Sequence, residues 1–442
     1  MAAQQQKPLT LRRNFSWTFV GNIVYAACQW GMLVVLAKLG SPEMVGQFTL
    51  GFAITAPVIL FTSLQLRIVQ ATDAKHEYVF GDYFGVRLLS TGLALLIIVG
   101  ITLIAGYRRE TLLVILVVGL AKGFESISDV FYGLIQQHER MDRIAISMML
   151  KGPLSLLLFG LGVYLTHNVL WGTVGLAVAW AIVLVGYDVR SGALMLKSSP
   201  QTQQSEVDTE PVTEIIQPRW HLKMLKKLVW LSLPLGIVMM LISLNTNIPR
   251  YFIERYLGER ELGIFAAISY LMVATGIVVN ALGQSASPRL AKYYAAGNRT
   301  AFCTLLVKLV GIGALLGLAG VLVAIVAGRD ILTIMYRSEY AEHTDLLVWL
   351  MVATAIRDTA SFLGYGMSAA RYFRIQMPLF VFITTISATA CLWFIPAIGL
   401  RGAVIALLIA AIVEAGITCL VLLYALQRLK NTHQENINYD IN

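Results

Sequence analysis

Lys197 to Gln217 reads KSSPQTQQSEVDTEPVTEIIQ, and this stretch decides how the chain divides. It is polar, contains proline and shows neither the helical nor the strand repeat of apolar side chains, so it reads as a flexible linker. On both sides the composition reverses. Of the 442 residues, 57% are apolar and only 13% charged, with a mean hydropathy of +0.71, where soluble domains carry about a quarter charged residues. Apolar blocks of about 18 to 25 residues recur, each long enough to cross roughly 30 Å of hydrocarbon as a helix.

Working outward from the linker, spans are read at 15–38, 44–66, 84–105, 111–135, 144–165 and 169–190 before it. After it they fall at 228–250, 261–282, 303–327, 346–366, 376–396 and 399–426. Strand-length alternation is absent, which argues against an outer-membrane barrel. The expected fold is an all-α integral membrane protein of about 12 transmembrane helices in two six-helix bundles. The expected divisions are an N-terminal bundle (1–195), a cytoplasmic linker with an amphipathic lead-in (196–227), a C-terminal bundle (228–430) and a cytoplasmic tail (431–442). The lead-in, Trp220 to Lys227 (WHLKMLKK), is basic and amphipathic. It suits an anionic inner leaflet, or an ordinary juxtamembrane anchor.

The two halves share a short match. Leu39 to Phe48 reads LGSPEMVGQF and Leu257 to Phe265 reads LGERELGIF. Each joins the first span of its half to the second, where a duplicated six-helix unit places it. An even span number gives both copies one orientation and relates them by a pseudo-two-fold axis along the membrane normal.

With a cytoplasmic N-terminus, about 23 of the 34 Lys and Arg fall on the inner side and about nine outside. Both termini are therefore placed in the cytoplasm, and the net charge of +9 reads as a topology signal that implies no nucleic-acid partner. No cleavage pattern follows the first apolar block, so it reads as a retained helix. Cys28, Cys303, Cys391 and Cys419 sit inside apolar blocks without metal-ligand spacing and read as packing residues. Phosphate-loop, zinc-protease and nucleophile-elbow motifs are all missing, the exterior loops are short, and the reading is a transporter that is not an enzyme and holds no cofactor.

An ionisable side chain at bilayer depth costs at least a few kcal/mol and so needs a partner, a wet cavity or a function. The fourth span is the richest, with Lys122, Glu125 and Asp129 on one helical face. Lys122 is a candidate contact for an anionic head group, and Glu125 or Asp129 a candidate proton or sodium site; a self-compensating ion network fits equally. In the seventh span, Asn245 and Asn247 expose amides and Pro249 predicts a kink or break near the outer end, while Arg250 and Glu254 are spaced to pair. In the tenth, Arg357 offers a guanidinium fork for a diphosphate, or a bridge to Glu414 on the last span; Asp358 beside it points elsewhere. Asn22 and Gln29 lie on one face of the first span, lining a cleft or bonding neighbouring helices. Arg67, Arg87, Lys151, Asp188 and Arg289 read as anchors near the inner interface.

The span plan together with LQLRIVQATD (Leu64 to Asp73), KGFESISDVFYGLIQQHERMDRI (Lys122 to Ile144), SLNTNIPRYFIE (Ser243 to Glu254) and ALGQSASPRLAKYYAAG (Ala281 to Gly297) resembles bacterial Wzx-type polysaccharide flippases. These belong to the multidrug, oligosaccharidyl-lipid and polysaccharide exporter superfamily, and the resemblance covers essentially residues 10–430. It implies two bundles around a V-shaped central cleft. The implied substrate is an undecaprenyl-diphosphate-linked oligosaccharide, flipped across the bacterial inner or plasma membrane by ion-coupled alternating access. Membrane lipids and a polysaccharide polymerase with its chain-length machinery are the implied partners. Substrate-binding candidates are Lys122, Arg357, Arg250, Asn22, Asn245 and Asn247. Ion-coupling candidates are Glu125, Asp129, Asp358 and Glu414, with the proton or sodium as the possible ion. A multidrug exporter or peptidoglycan-precursor flippase of the same superfamily is the alternative, and a membrane polymerase or glycosyltransferase a more distant one.

Overall fold

In hydrocarbon every backbone N–H and C=O must be satisfied within the chain, so long apolar blocks fold as helices. The computed structural model describes residues 10–73, 77–197, 216–370 and 372–441. The core of the linker (198–215), Lys7, Lys75 and Arg371 lie outside the described residues. Among those described, all regular structure is helical. Eleven helices are long and apolar enough to cross a membrane, or up to 12 if a bent pair counts as one span. Large apolar side chains face outward, Ile104 at 89% and Val326 at 83% exposure, as lipid-facing surfaces require. The chain is a multi-pass membrane protein.

Two compact units divide it, Met1–Ser243 and Leu244–Asn442. The first holds α1 (Leu11–Leu39), α2 (Pro42–Ser63), α3 (Leu66–Thr72), α4 (Phe80–Ala105), α5 (Arg109–Gln137), α6 (Met141–Thr166) and α7 (Val169–Val183). A π-helical turn (Leu184–Asp188), α8 (Val189–Lys197) and the first part of α9 (Leu222–Leu257) follow. Ser41 caps α2, accepting from Met44 N, with Pro42 at the first helical position, where the missing N–H costs nothing. α6 and α7 cross closely at Gly175, where any Cβ would collide with the Leu158 carbonyl. Asn14 clamps α1 to the α5–α6 turn, donating to the Glu139 carbonyl at 2.9 Å and accepting from Met141 N at 3.1 Å.

Leu225 and Leu228 of α9 are buried in the same apolar cluster as Tyr83 and Phe131. Further along, Gly236 packs against Phe61 and Leu64 so tightly that a Cβ would lie 2.6 Å from the Phe61 carbonyl oxygen. The lead-in therefore runs into the core of the first unit, and the division falls inside α9 at Ser243/Leu244. Only Trp220 and Leu222 keep their apolar side chains largely exposed there.

The second unit continues with α10 (Glu259–Tyr270), α11 (Val273–Ala295), α12 (Arg299–Met335), α13 (Ser338–Ala341), α14 (Thr344–Ala369), α15 (Phe373–Ile398) and α16 (Leu400–Ile441). One expectation is corrected here. α9 runs unbroken through Pro249: losing one donor costs less in hydrocarbon than ending a helix and orphaning several backbone groups. The interruption lies instead between Glu259–Tyr270 and Thr275–Ala295, bent by 47°. Residues 431–441 continue α16 as helix. Of the four cysteines, Cys391 is buried, Cys28 and Cys303 are half-buried and Cys419 is exposed, so the last does not fill a core.

Candidate functional site

The first unit encloses a cavity of about 520 Å³. α1 contributes Thr18, Asn22 and Tyr25, α4 contributes Arg87, α5 contributes Glu125, Asp129 and Tyr132, and α6 contributes Lys151. The α2–α3 break supplies Ser63, Gln65 and Arg67. That break is strained. Leu64 and Gln65 are consecutive non-glycine residues at φ +52° and +51°, a left-handed conformation that costs roughly 1–2 kcal/mol per L-residue. Irregular backbone at membrane depth is tolerated where it lines a cavity, and strain of this kind concentrates at functional sites. Gln65→Val, a β-branched residue that cannot easily adopt this φ, is expected to lower the unfolding temperature in detergent, whereas Gln65→Gly leaves it nearly unchanged. Equal behaviour of the two variants would mean the strain is relieved in solution.

The charges are arranged in pairs. Arg87, 0% exposed, donates to Asp129 at 3.0 Å and to Ser126 at 3.2 Å. Arg67 reaches the other Asp129 oxygen at 3.6 Å and Gln136 at 3.0 Å, and lies over the Tyr132 ring. Glu125 accepts from Lys122 at 2.7 Å and from the Tyr25 hydroxyl at 2.8 Å. On α6, Lys151 donates to Asp188 at 3.1 Å and to the Tyr132 hydroxyl at 3.0 Å.

Several sequence expectations are revised by this geometry. Arg87, Lys151 and Asp188 are not interface anchors; all three are buried to 2% exposure or less, because each finds its partner on another helix. Arg67 is a cavity residue as well. Lys122 shares a face with Glu125 but does not line the cavity: its ammonium lies 5.1 Å from both the Phe52 and Trp180 rings, an enclosure that satisfies it without a ligand. Asn22 lines the cavity, while Gln29 does not.

The sequence did carry a signal for the residues it misplaced. Tyr83, Arg87 and Thr91 are spaced by four on α4, and Ser147, Lys151 and Ser155 by four on α6. A cation flanked at both i−4 and i+4 by hydroxyls marks a polar stripe facing protein.

The second unit holds a separate cavity of about 150 Å³ lined by Asn245, Arg250, Arg357 and Glu414 among others. Arg250 donates to Asn247 at 2.9 Å instead of pairing with Glu254, because a helical side chain leans toward the preceding turn. The alternative of an Arg357–Glu414 bridge is not realised: both line the cavity, yet no ion pair within 4 Å joins them among the described residues. Asp358 is 2% exposed and does not line it.

Comparisons with known proteins agree with this architecture. The family model described as "Polysaccharide biosynthesis protein" matches residues 11–294, and the MatE model matches residues 234–369. The capsular polysaccharide biosynthesis protein CapF of Staphylococcus aureus is 29% identical over 405 residues, covering 91% of this chain and 96% of that one. Among solved structures, an inward-facing multidrug resistance MATE family transporter of the MOP superfamily aligns with a TM-score of 0.68 at 15% identity, covering 94% of this chain and 99% of the other. The lipid II flippase MurJ in an inward closed conformation aligns with a TM-score of 0.69 at 12% identity, covering 95% and 92%. The fold is the one these transporters share, and a family match to residues 11–294, well over half the sequence, establishes that the chain belongs to the polysaccharide biosynthesis protein family.

Proposed function

We propose that this protein moves diphosphate-linked oligosaccharide lipids from the cytoplasmic to the outer face of a bacterial plasma membrane for capsule or other surface polysaccharide, with both termini cytoplasmic. The observation that carries the reading is the lining of the 520 Å³ cavity, in which Arg67, Arg87 and Lys151 outnumber Glu125 and Asp129. A surplus positive charge in a low-dielectric enclosure favours an anion, and guanidinium forks suit phosphate oxygens. The similarity to a capsular polysaccharide biosynthesis protein supports the choice of cargo.

In this reading Arg250, Arg357 and Asn245, which line the second unit's own cavity, are further substrate contacts, and Asn247, which accepts from Arg250, positions that guanidinium. Glu125, Asp129, Asp358 and Glu414 are the carboxylates available to couple movement to a proton or sodium gradient. Glu125 is the best placed of these, since it lines the cavity and already holds a cation and a hydroxyl. The cavity opens in turn to the two faces of the membrane.

The test is transport in proteoliposomes. A fluorescent polyprenyl-diphosphate oligosaccharide is expected to become accessible to a periodate-type reagent on the opposite face, with inorganic pyrophosphate inhibiting and a cationic dye neither moved nor competing. Dye export without movement of the lipid would replace this reading by the multidrug one; extension of the glycan by the purified protein would replace it by a polymerase.

A further inference from the structure

Lys151 sits on α6 within a closed set of hydrogen bonds. Its ammonium donates to Asp188 Oδ2 at 3.1 Å and to the Tyr132 hydroxyl at 3.0 Å. Ser147 completes the set, donating to Asp188 Oδ1 at 2.5 Å and sharing a hydrogen bond of 2.7 Å with Tyr132. An ammonium has three N–H donors. Two are engaged by Asp188 and Tyr132, and among the described residues no protein acceptor takes the third. Lys151 lines the cavity and Asp188, 0% exposed, does not. Lys151, 2% exposed, thus borders the cavity while its counter-charge is held back in protein.

What brings Asp188 into register is a departure from regular helix. Residues Leu184–Asp188 form a π-helical turn, closed by Val189 N donating to the Leu184 carbonyl. Each residue advances an α-helix by about 100°, so one wide turn re-aims everything beyond it by about that angle. Such turns are rare and cluster at functional sites. Here the turn places the one acidic side chain of this segment against the one cation of α6 at that depth.

We infer that Lys151 donates its third N–H to a diphosphate-type oxyanion in the cavity, and that Asp188, carried by the π-helical turn, is the positioning residue that holds the ammonium for it. This rests on the proposed head-group role of the cavity. The groups bearing on Lys151 from the surrounding elements are Tyr25 on α1, Glu125, Asp129 and Tyr132 on α5, and Asp188, with Arg67 and Arg87 as fixed cations. None but Asp188 and Tyr132 bonds its ammonium.

The test is pyrophosphate binding to full-length protein in neutral-lipid nanodiscs, read as a double-mutant cycle. Lys151→Met is expected to weaken binding about 10- to 100-fold, the range for a lost charge-assisted hydrogen bond. Asp188→Asn is expected to weaken it less, and to have no further effect once residue 151 is Met, because Asp188 acts only through Lys151. Since Lys151→Met alone strands a buried carboxylate, the Lys151→Met/Asp188→Asn double variant, with both charges removed, serves as the carrier that keeps its fold. Ser147→Ala, which keeps both charges, is expected to give a smaller loss that likewise vanishes in the Lys151→Met background. Wild-type binding that the double variant retains in full would overturn the inference and leave the head-group reading standing. Additive losses from Asp188→Asn and Lys151→Met would overturn the positioning role. Absence of pyrophosphate binding to the wild type would remove the head-group reading itself.

Discussion

Asp129→Ala is expected to destabilise the protein more than Arg87→Met, although both break the same ion pair. The asymmetry follows from burial. Removing the carboxylate leaves the Arg87 guanidinium at 0% exposure with only Ser126 as a bonded neighbour, and an uncompensated buried charge costs about 3–5 kcal/mol. Removing the guanidinium leaves Asp129 in better surroundings. Its side chain is 31% exposed to the cavity and keeps Arg67 at 3.6 Å, so the loss is closer to that of a hydrogen bond to a charged group, about 1.5–3 kcal/mol. Arg87→Met/Asp129→Asn, which removes both charges, is expected to recover most of the loss. Chemical unfolding in one detergent, followed by tryptophan fluorescence, measures all three. Equal losses for the two single variants would show that Arg87 is hydrated in the native state and that the pair is not buried as described.

Lys122→Met is expected to lower stability while leaving pyrophosphate affinity close to that of the wild type. The ammonium lies 5.1 Å from each of two aromatic rings, and each desolvated cation–π contact contributes about 1–2 kcal/mol. Its ion pair with Glu125, 2.7 Å long and about one quarter exposed, adds a smaller amount. A total loss of about 2–4 kcal/mol therefore accompanies the methionine, which fills the same volume without the charge. Because Lys122 is not a cavity residue, no ligand contact is lost with it. Lys122→Arg keeps the charge and the ring contacts and is expected to restore most of the stability. A variant that unfolds like the wild type but binds pyrophosphate tenfold more weakly would return Lys122 to the head-group site and displace the ring enclosure as its role.

These residues show which parts of the protein can be read without coordinates. Lys122, Glu125 and Asp129 of α5 were visible from their spacing alone, since three- and four-residue steps share a helical face whatever surrounds them. Their partners were not. Asp129 is matched by Arg87 from α4 and Arg67 from α3, and Glu125 by Tyr25 from α1, and sequence spacing within one helix carries no information about its neighbours. Arg87 and Lys151 were read as interfacial because each follows the start of an apolar block by only a few residues. The helices in fact begin earlier, at Phe80 and Met141, so Arg87 lies about two turns inside and Lys151 nearly three. The π-helical turn gave no sequence signal, as LVGYD contains neither proline nor any unusual spacing.

Membrane insertion, the helical class and the six-and-six arrangement of apolar blocks around a polar linker were determined by the sequence by itself, because the hydrophobic length of a segment is a local property and the bilayer reads it locally. The wiring of the cavity was decided only by tertiary structure. A buried ammonium or guanidinium takes whichever carboxylate packing brings within about 3 Å, and that distance is set by helix crossings, by close glycine contacts and by one wide turn that moves Asp188 beside Lys151.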